Sequence, residues 1–224
     1  MKALAVRHVN VEHLGLIEKV LRHMGIKFEY LDTVSGQTLK EPLENYGLLI
    51  VLGGYMGAYE ESLYPFLSYE FRLMEEALKR DMPLLGICLG SQMLAKVLGA
   101  RVYRGERGKE IGWMEVFKVG EHPYFEDFPL KLTVFQWHGD TFDLPAGALR
   151  VYSSEKYENQ AFVYRRAVGL QFHIEVDRNM VSSWVEEYRE ELLQEGISPA
   201  GLLNCEGKEQ ESLLHHLLIK LLNS

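Results

Sequence analysis

Cysteine is nearly absent from this sequence. Its 224 residues hold two, Cys88 and Cys205, in unlike contexts and in no Cys-x-x-Cys pair, which excludes a disulfide framework. Long apolar runs are missing as well. No uncharged stretch approaches the roughly 20 residues that span a bilayer, and in residues 1–8 Arg7 interrupts the apolar run too early for a signal-peptide core. A soluble, cytoplasmic protein without a membrane partner is expected. Positive charge is in short supply: 24 Lys and Arg face 32 Asp and Glu, a net charge of -8, and no local basic run reverses the sign. Such a surface repels a phosphate backbone, so nucleic acid is not an expected partner. Repeats, low-complexity tracts and linkers are lacking too, and the expectation is one domain over residues 1–224, with a helical extension from about 179.

What is present can build a core: 47% of the residues are hydrophobic, with 12 Tyr, 10 Phe and 3 Trp. Short apolar runs at residues 3–7, 28–31, 46–52 and 83–87 alternate with helical patterns at 14–24, 65–80 and 90–98, as in βαβ units. From residue 102 the period shifts toward two, with strands predicted around Val102 and over 113–119, 132–137 and 162–172. One amphipathic helix is predicted over 179–194 and another over 209–222. The fold class is therefore α/β, a mostly parallel but mixed sheet flanked by helices.

Gly86-Ile87-Cys88-Leu89-Gly90 lies where an apolar strand meets a helix, the setting of a nucleophile elbow. A sharp turn there needs small neighbours, which Gly86 and Gly90 supply. The helix N-terminus that follows would favour a thiolate and could receive an oxyanion. A buried structural cysteine is the alternative, since free cysteine is among the most buried residue types.

A thiol catalyst needs an imidazole. His8, His13, His23, His122, His215 and His216 have no polar partner at useful spacing and read as surface or packing residues. In Gln171-Phe172-His173-Ile174-Glu175 a strand runs into a polar tip, and residues two apart share a face, so His173 and Glu175 project together. A carboxylate there can fix the tautomer and stabilise the imidazolium; a solvated ion pair is the alternative. His-x-Glu without a cysteine pair falls short of a zinc ligand set, so no metal and no cofactor is expected.

With Cys88 on an elbow and His173 and Glu175 downstream, the chain resembles the class I glutamine amidotransferase domain, whose nucleophile motif reads Gly-x-Cys-x-Gly-x-Gln. The order Cys, His, Glu separates it from α/β-hydrolases. Further matches are Gly53-Gly54 after the strand at 46–52 and Trp137-His138-Gly139-Asp140. The resemblance implies a three-layer, flavodoxin-like fold and a catalytic Cys88, His173 and Glu175. It also implies an oxyanion hole from the backbone N–H groups of Gly54 and Leu89. Glutamine, or another γ-glutamyl compound, would be bound by Gly53, Gln92, Trp137, His138, Gly139 and Asp140.

Ile174 stands where many synthetase-linked members have Pro, and Ser91 where they have His. Both changes suit a free-standing branch similar to the amidotransferase half of GMP synthetase, and also to plant γ-glutamyl peptidases. No ATP-pyrophosphatase phosphate loop is found in the sequence; Ser35-Gly36-Gln37-Thr38 and residues 105–109 match neither that loop nor a Walker A pattern. A separate synthetase chain is a possible partner, and a non-catalytic scaffold is the remaining alternative.

Overall fold

The computed structural model describes residues 1–204 and 208–224, with only the backbone of Lys208. Cys205, the second cysteine, lies outside the described residues. The chain begins β1 (Lys2–Val6), α1 (Leu16–His23), β2 (Lys27–Leu31), β3 (Leu48–Val51), α2 (Phe66–Lys79), β4 (Leu84–Ile87) and α3 (Leu89–Val97). A strand-rich middle follows: β5 (Val102–Arg104), β6 (Glu110–Lys118), β7 (Lys131–His138), β8 (Asp140–Phe142), β9 (Leu149–Ser153), β10 (Ala161–Tyr164) and β11 (Ala167–Leu170). It ends in α4 (Arg178–Glu187), α5 (Arg189–Gln194), α6 (Pro199–Leu202) and α7 (Lys208–Asn223).

Among the described residues, nine strands form one sheet in the order β2-β1-β3-β4-β11-β10-β9-β6-β7. From β2 to β11 the pairs are parallel; from β11 to β7 they are antiparallel. The mixed sheet read from the shift in periodicity is thus the observed one.

Strand alternation explains how one sheet serves two cores. In β1, Ala3 and Ala5 join a core with Ile17 and Leu21 of α1 and Leu214, Leu217 and Leu218 of α7. Leu4 and Val6 face the other way, toward Leu67 and Met74 of α2 and Met93 and Leu94 of α3. β3 divides in the same manner, Leu48 and Ile50 to the first core and Leu49 and Val51 to the second. The five leucines of α7, Leu213, Leu214, Leu217, Leu218 and Leu221, are all buried against the domain, each worth about 1.5–3 kcal/mol of transfer free energy. A third, smaller cluster lies under α4 to α6, with Phe135, Trp184 and Leu192.

The structure departs from the local expectations at three places. Residues 162–172 are not one strand: β10 and β11 form a hairpin through Arg165 at φ 52°. The turn holds no Gly, Pro, Asn or Asp, so neither the alternation nor the composition marks it. The helix predicted over 179–194 is two, α4 and α5, broken at Tyr188 with φ -104° and ψ 27°. The strand predicted over 132–137 runs on to His138, and after Gly139 a further, unpredicted strand, β8, opens at Asp140 and pairs with β5 in a second small sheet.

Candidate active site

Cys88 follows β4 at φ 51° and ψ -108°, a backbone region that costs a non-glycine residue about 1–3 kcal/mol. Surrounding bonds hold it there. Its N–H donates to the Leu170 carbonyl at 2.7 Å, and its carbonyl accepts from the N–H groups of Ser91 at 3.0 Å and Gln92 at 3.1 Å. The Ser91 hydroxyl, in the position noted for its departure from histidine, donates to the same carbonyl at 2.7 Å. Both elbow glycines are required by close approach: a methyl on Gly86 would collide with the Gly90 carbonyl, and one on Gly90 with the Val51 carbonyl. Leu89 opens α3, so its N–H belongs to the first turn, where no intrahelical acceptor exists.

His173 and Glu175 lie beyond the end of β11, outside any regular strand, yet they meet. His173 Nδ1 is 2.6 Å from Glu175 Oε1, with side chains only 1% and 2% exposed. Long-range contacts fix this segment. The backbone of His173 exchanges two hydrogen bonds with Phe135 of β7, at 2.8 and 3.1 Å, and the Glu175 carbonyl accepts from the Leu16 N–H at 2.7 Å. Trp184 of α4 stands edge-on to the imidazole with ring centroids 4.7 Å apart.

The thiol and the imidazole are close enough that each shifts the other's titration. Burial disfavours the imidazolium, but the Glu175 carboxylate and the bonds with Cys88 and Glu175 outweigh it and hold His173 well above the usual histidine range. The thiol behaves differently from the sequence expectation. Burial pushes Cys88 up, and the bond and charge of His173 only partly offset this. A dry pocket penalises an isolated thiolate.

The sulfur opens into a cleft of about 330 Å³, lined among others by Glu12, Gly54, Tyr59, Gln92, Asp140 and Tyr188. Trp137, His138 and Gly139 also line it, and the Trp137 carbonyl lies 3.7 Å from Cys88 Sγ. Gln92 is buried, with Nε2 3.1 Å from Gln171 Oε1 and 3.5 Å from the Asp140 carbonyl. His138 contributes shape more than free donors: Nε2 lies 2.9 Å from Glu110 Oε2 and Nδ1 2.9 Å from the Asp140 carbonyl. Gly53 is not among the residues lining the cleft; a side chain there would meet Glu12 and His173. No cluster of three or more His, Cys, Asp or Glu side chains able to hold a metal occurs among the described residues.

The model of the class-I glutamine amidotransferase family matches residues 11–182, most of the chain and all three of Cys88, His173 and Glu175. The chain belongs to that family. A glutamine amidotransferase from Thermotoga maritima superposes with a TM-score of 0.97 at 56% identity, covering 100% of this chain and 99% of the other. A glutamine-hydrolyzing GMP synthase subunit of Archaeoglobus fulgidus is 32% identical over 78% of this chain and 88% of its own length. A glutamine amidotransferase-like protein of Salmonella typhimurium is 29% identical over 86% of this chain and 83% of its own length. Against longer GMP synthases the match spans only part of the relative, 24% of the Thermomicrobium roseum protein and 35% of the Bacillus subtilis one.

Within this amidotransferase domain the structure adds residues that sequence reasoning missed. Glu12 is buried, accepts a hydrogen bond from the Tyr188 hydroxyl, and is pushed above the carboxylate range by burial. Gln171 Nε2 lies 3.7 Å from Cys88 Sγ. Lys109 and Trp137 both bond to Glu191 of α5, at 2.6 and 2.9 Å, and so tie the C-terminal helices to the cleft. Only Gln171 had a local signal, a polar residue within an apolar run and two positions before His173. Of the surface and packing alternatives read for His8 the structure shows packing, its side chain fully buried and paired with Glu70 at 2.8 Å, a partner 62 positions away that local spacing did not show.

Proposed function

We propose that this chain cleaves the side-chain amide of glutamine through a thioester on Cys88. The observation that carries the reading is the buried array of Cys88 on a strained elbow, His173 against the thiol, and Glu175 2.6 Å behind it. In this reading the Cys88 proton passes to His173 Nε2 as the sulfur attacks the amide carbon. The oxyanion that forms meets the N–H groups of Gly54 and Leu89, fixed donors of the kind that contribute most to acyl transfer. Collapse of the tetrahedral intermediate breaks the carbon–nitrogen bond, and His173 returns the proton to the departing ammonia. Water, losing a proton to the same nitrogen, then releases glutamate and restores the thiol.

Trp137, Gln92, His138, Gly139 and Asp140 shape the side of the cleft that would hold the amino-acid head of the substrate. Ammonia is the product of value to a synthetase, and the similarity to a chain named as one subunit of a GMP synthase supports a separate acceptor chain as partner. In that case glutaminase activity is low alone and rises when the partner and its substrate close the site.

A second reading, a γ-glutamyl peptidase, is favoured by the mouth of the cleft. Tyr55 and Tyr59 line it while 62% and 45% exposed, leaving a surface on which a leaving amine larger than ammonia could rest. The deciding measurement is kcat/KM for glutamine against γ-glutamyl dipeptides and glutathione. A preference for the larger substrates above about tenfold, roughly 1.4 kcal/mol of transition-state binding, replaces the amidotransferase reading with the peptidase and leaves the triad in place.

A further inference from the structure

The register of the parallel sheet sets His8 beside Gly53. Val6 of β1 pairs with Val51 of β3, and two residues further on each strand places His8 opposite Gly53. There His8 Nδ1 is 2.9 Å from the Gly53 carbonyl oxygen, while Nε2 is 2.8 Å from Glu70 Oε2. A carbonyl oxygen can only accept, so Nδ1 carries the hydrogen. Glu70 also accepts from the Thr33 hydroxyl, and none of the three side chains is open to solvent beyond 3%.

Gly53 and Gly54 share a peptide unit, and no cis peptide occurs among the described residues. In a trans peptide the C=O and N–H point in opposite directions. β3 lies between β1 and β4. A Gly53 carbonyl drawn toward the β1 side therefore sends the Gly54 N–H toward the β4 side, where Cys88 follows the strand. The packing agrees: a Cβ built on Gly54 would lie 3.0 Å from both His8 Cβ and Leu89 Cδ2. Two successive glycines can rotate this peptide at little steric cost. The rotated form would aim a carbonyl oxygen, not an N–H, at the developing negative charge.

We propose that His8 is a positioning residue for the oxyanion hole, its Nδ1–H bond to the Gly53 carbonyl locking the Gly53–Gly54 peptide with the Gly54 N–H toward Cys88. The inference rests on the amide-cleavage reading above. The bond to the carbonyl also polarises the peptide and strengthens the opposite N–H as a donor. Glu70 holds the ring, and Thr33 holds Glu70.

The test separates a step that develops an oxyanion from one that does not. Acylation of Cys88 is followed by p-nitroaniline release from γ-glutamyl p-nitroanilide, and direct alkylation of the same thiol by iodoacetamide. The double variant His8→Phe/Glu70→Gln removes the donor without stranding a buried carboxylate. Its acylation should fall about 10²–10³-fold, the scale of one lost oxyanion-hole donor, with KM and the alkylation rate within about threefold of the parent. Glu70→Gln alone keeps the Nδ1–H bond and should stay within about threefold in both reactions, and His8→Gln, whose amide can donate to Gly53, should recover at least about tenfold of the loss.

Unchanged acylation in the double variant overturns the proposal, and so does an equal fall in alkylation, which would put the effect on the thiol or the fold. A fall of about 10²-fold or more in acylation by Glu70→Gln, which keeps the Nδ1–H bond, also overturns it, whether or not the double variant folds. Absence of acylation in the parent chain with normal alkylation overturns the amide-cleavage reading itself, an outcome distinct from the others.

Discussion

His173 and His8 are alike in most respects. Each is buried, each faces a carboxylate within 2.8 Å, and in each the pull of that carboxylate raises the imidazole above its ordinary range against the opposing cost of burial. They differ at the second ring nitrogen. In His8 it is bound to a carbonyl oxygen, whereas in His173 it faces the Cys88 thiol. His138 repeats the closed pattern, held by Glu110 and the Asp140 carbonyl. Burial beside an acid therefore does not mark a histidine as a base; the role proposed for His173 also requires a nitrogen left facing an ionisable partner. The closed pairs hold backbone and strands in place around the open one.

The sharpest way to break this comparison is to remove the open pair. Cys88→Ala and His173→Ala should each lower kcat/KM for the preferred substrate by about 10⁴-fold or more. His138→Gln should lose less than about 100-fold, since it removes no proton carrier. Equal losses at His138 and His173 in steady-state assays would show that the open nitrogen is not what distinguishes them.

Glu175→Gln should fall between, with a loss of roughly 10²–10⁴-fold and measurable residual turnover. In the same variant the His173 ring should titrate at lower pH than in the parent, because the main influence holding it up is gone. NMR titration of the ring resonances reads this directly, and an unmoved midpoint contradicts the role given to Glu175. The raised His173 contributes stability in full below about pH 6.5, and that contribution is lost as pH rises through the folded-state value. The parent's advantage over Glu175→Gln in thermal stability should accordingly shrink on the alkaline side.

Away from the site, Leu217→Ala empties part of the core between α1, α7 and the sheet, where Leu217 is inaccessible to solvent. It should cost about 2–5 kcal/mol in urea unfolding with unchanged turnover per folded molecule. A smaller effect is expected at Glu110, which the His138 bond, with those of Ser154 and Gln160, holds below the usual carboxylate range despite burial. A lowered carboxylate stabilises above its ordinary pKa of about 4.3, and the contribution is lost as pH falls through the folded value. Glu110→Gln should thus remove part of the acid-side decline in melting temperature. The smallest change belongs to the exposed pair Arg22–Glu18, 2.8 Å apart one helical turn from each other, where Arg22→Ala should shift stability by no more than about 0.5 kcal/mol. A larger shift there would mean that surface pairs cannot serve as the reference for the buried ones.

Legibility followed sequence distance. The Cys88 elbow is contiguous, and its glycines, strand and helix all fall within residues 84–97, so local pattern sufficed. His173 and Glu175 were also found by local spacing, although the regular strand assumed for them ends at Leu170 and it is Phe135 and Leu16 that hold them. Glu12 and Tyr188, 176 positions apart, leave no pattern in the sequence, and neither do His8 and Glu70.

By itself the sequence determined the α/β class, the two-sided sheet and the order of thiol, imidazole and carboxylate, because alternation, helical period and turn chemistry act over a few residues. Only the tertiary structure decided which histidines were closed and which was open, how dry the thiol is, and which way the Gly53–Gly54 peptide faces. Each of these depends on hydrogen-bond partners brought from distant strands and helices, and a buried group's charge and direction are set by what surrounds it in space.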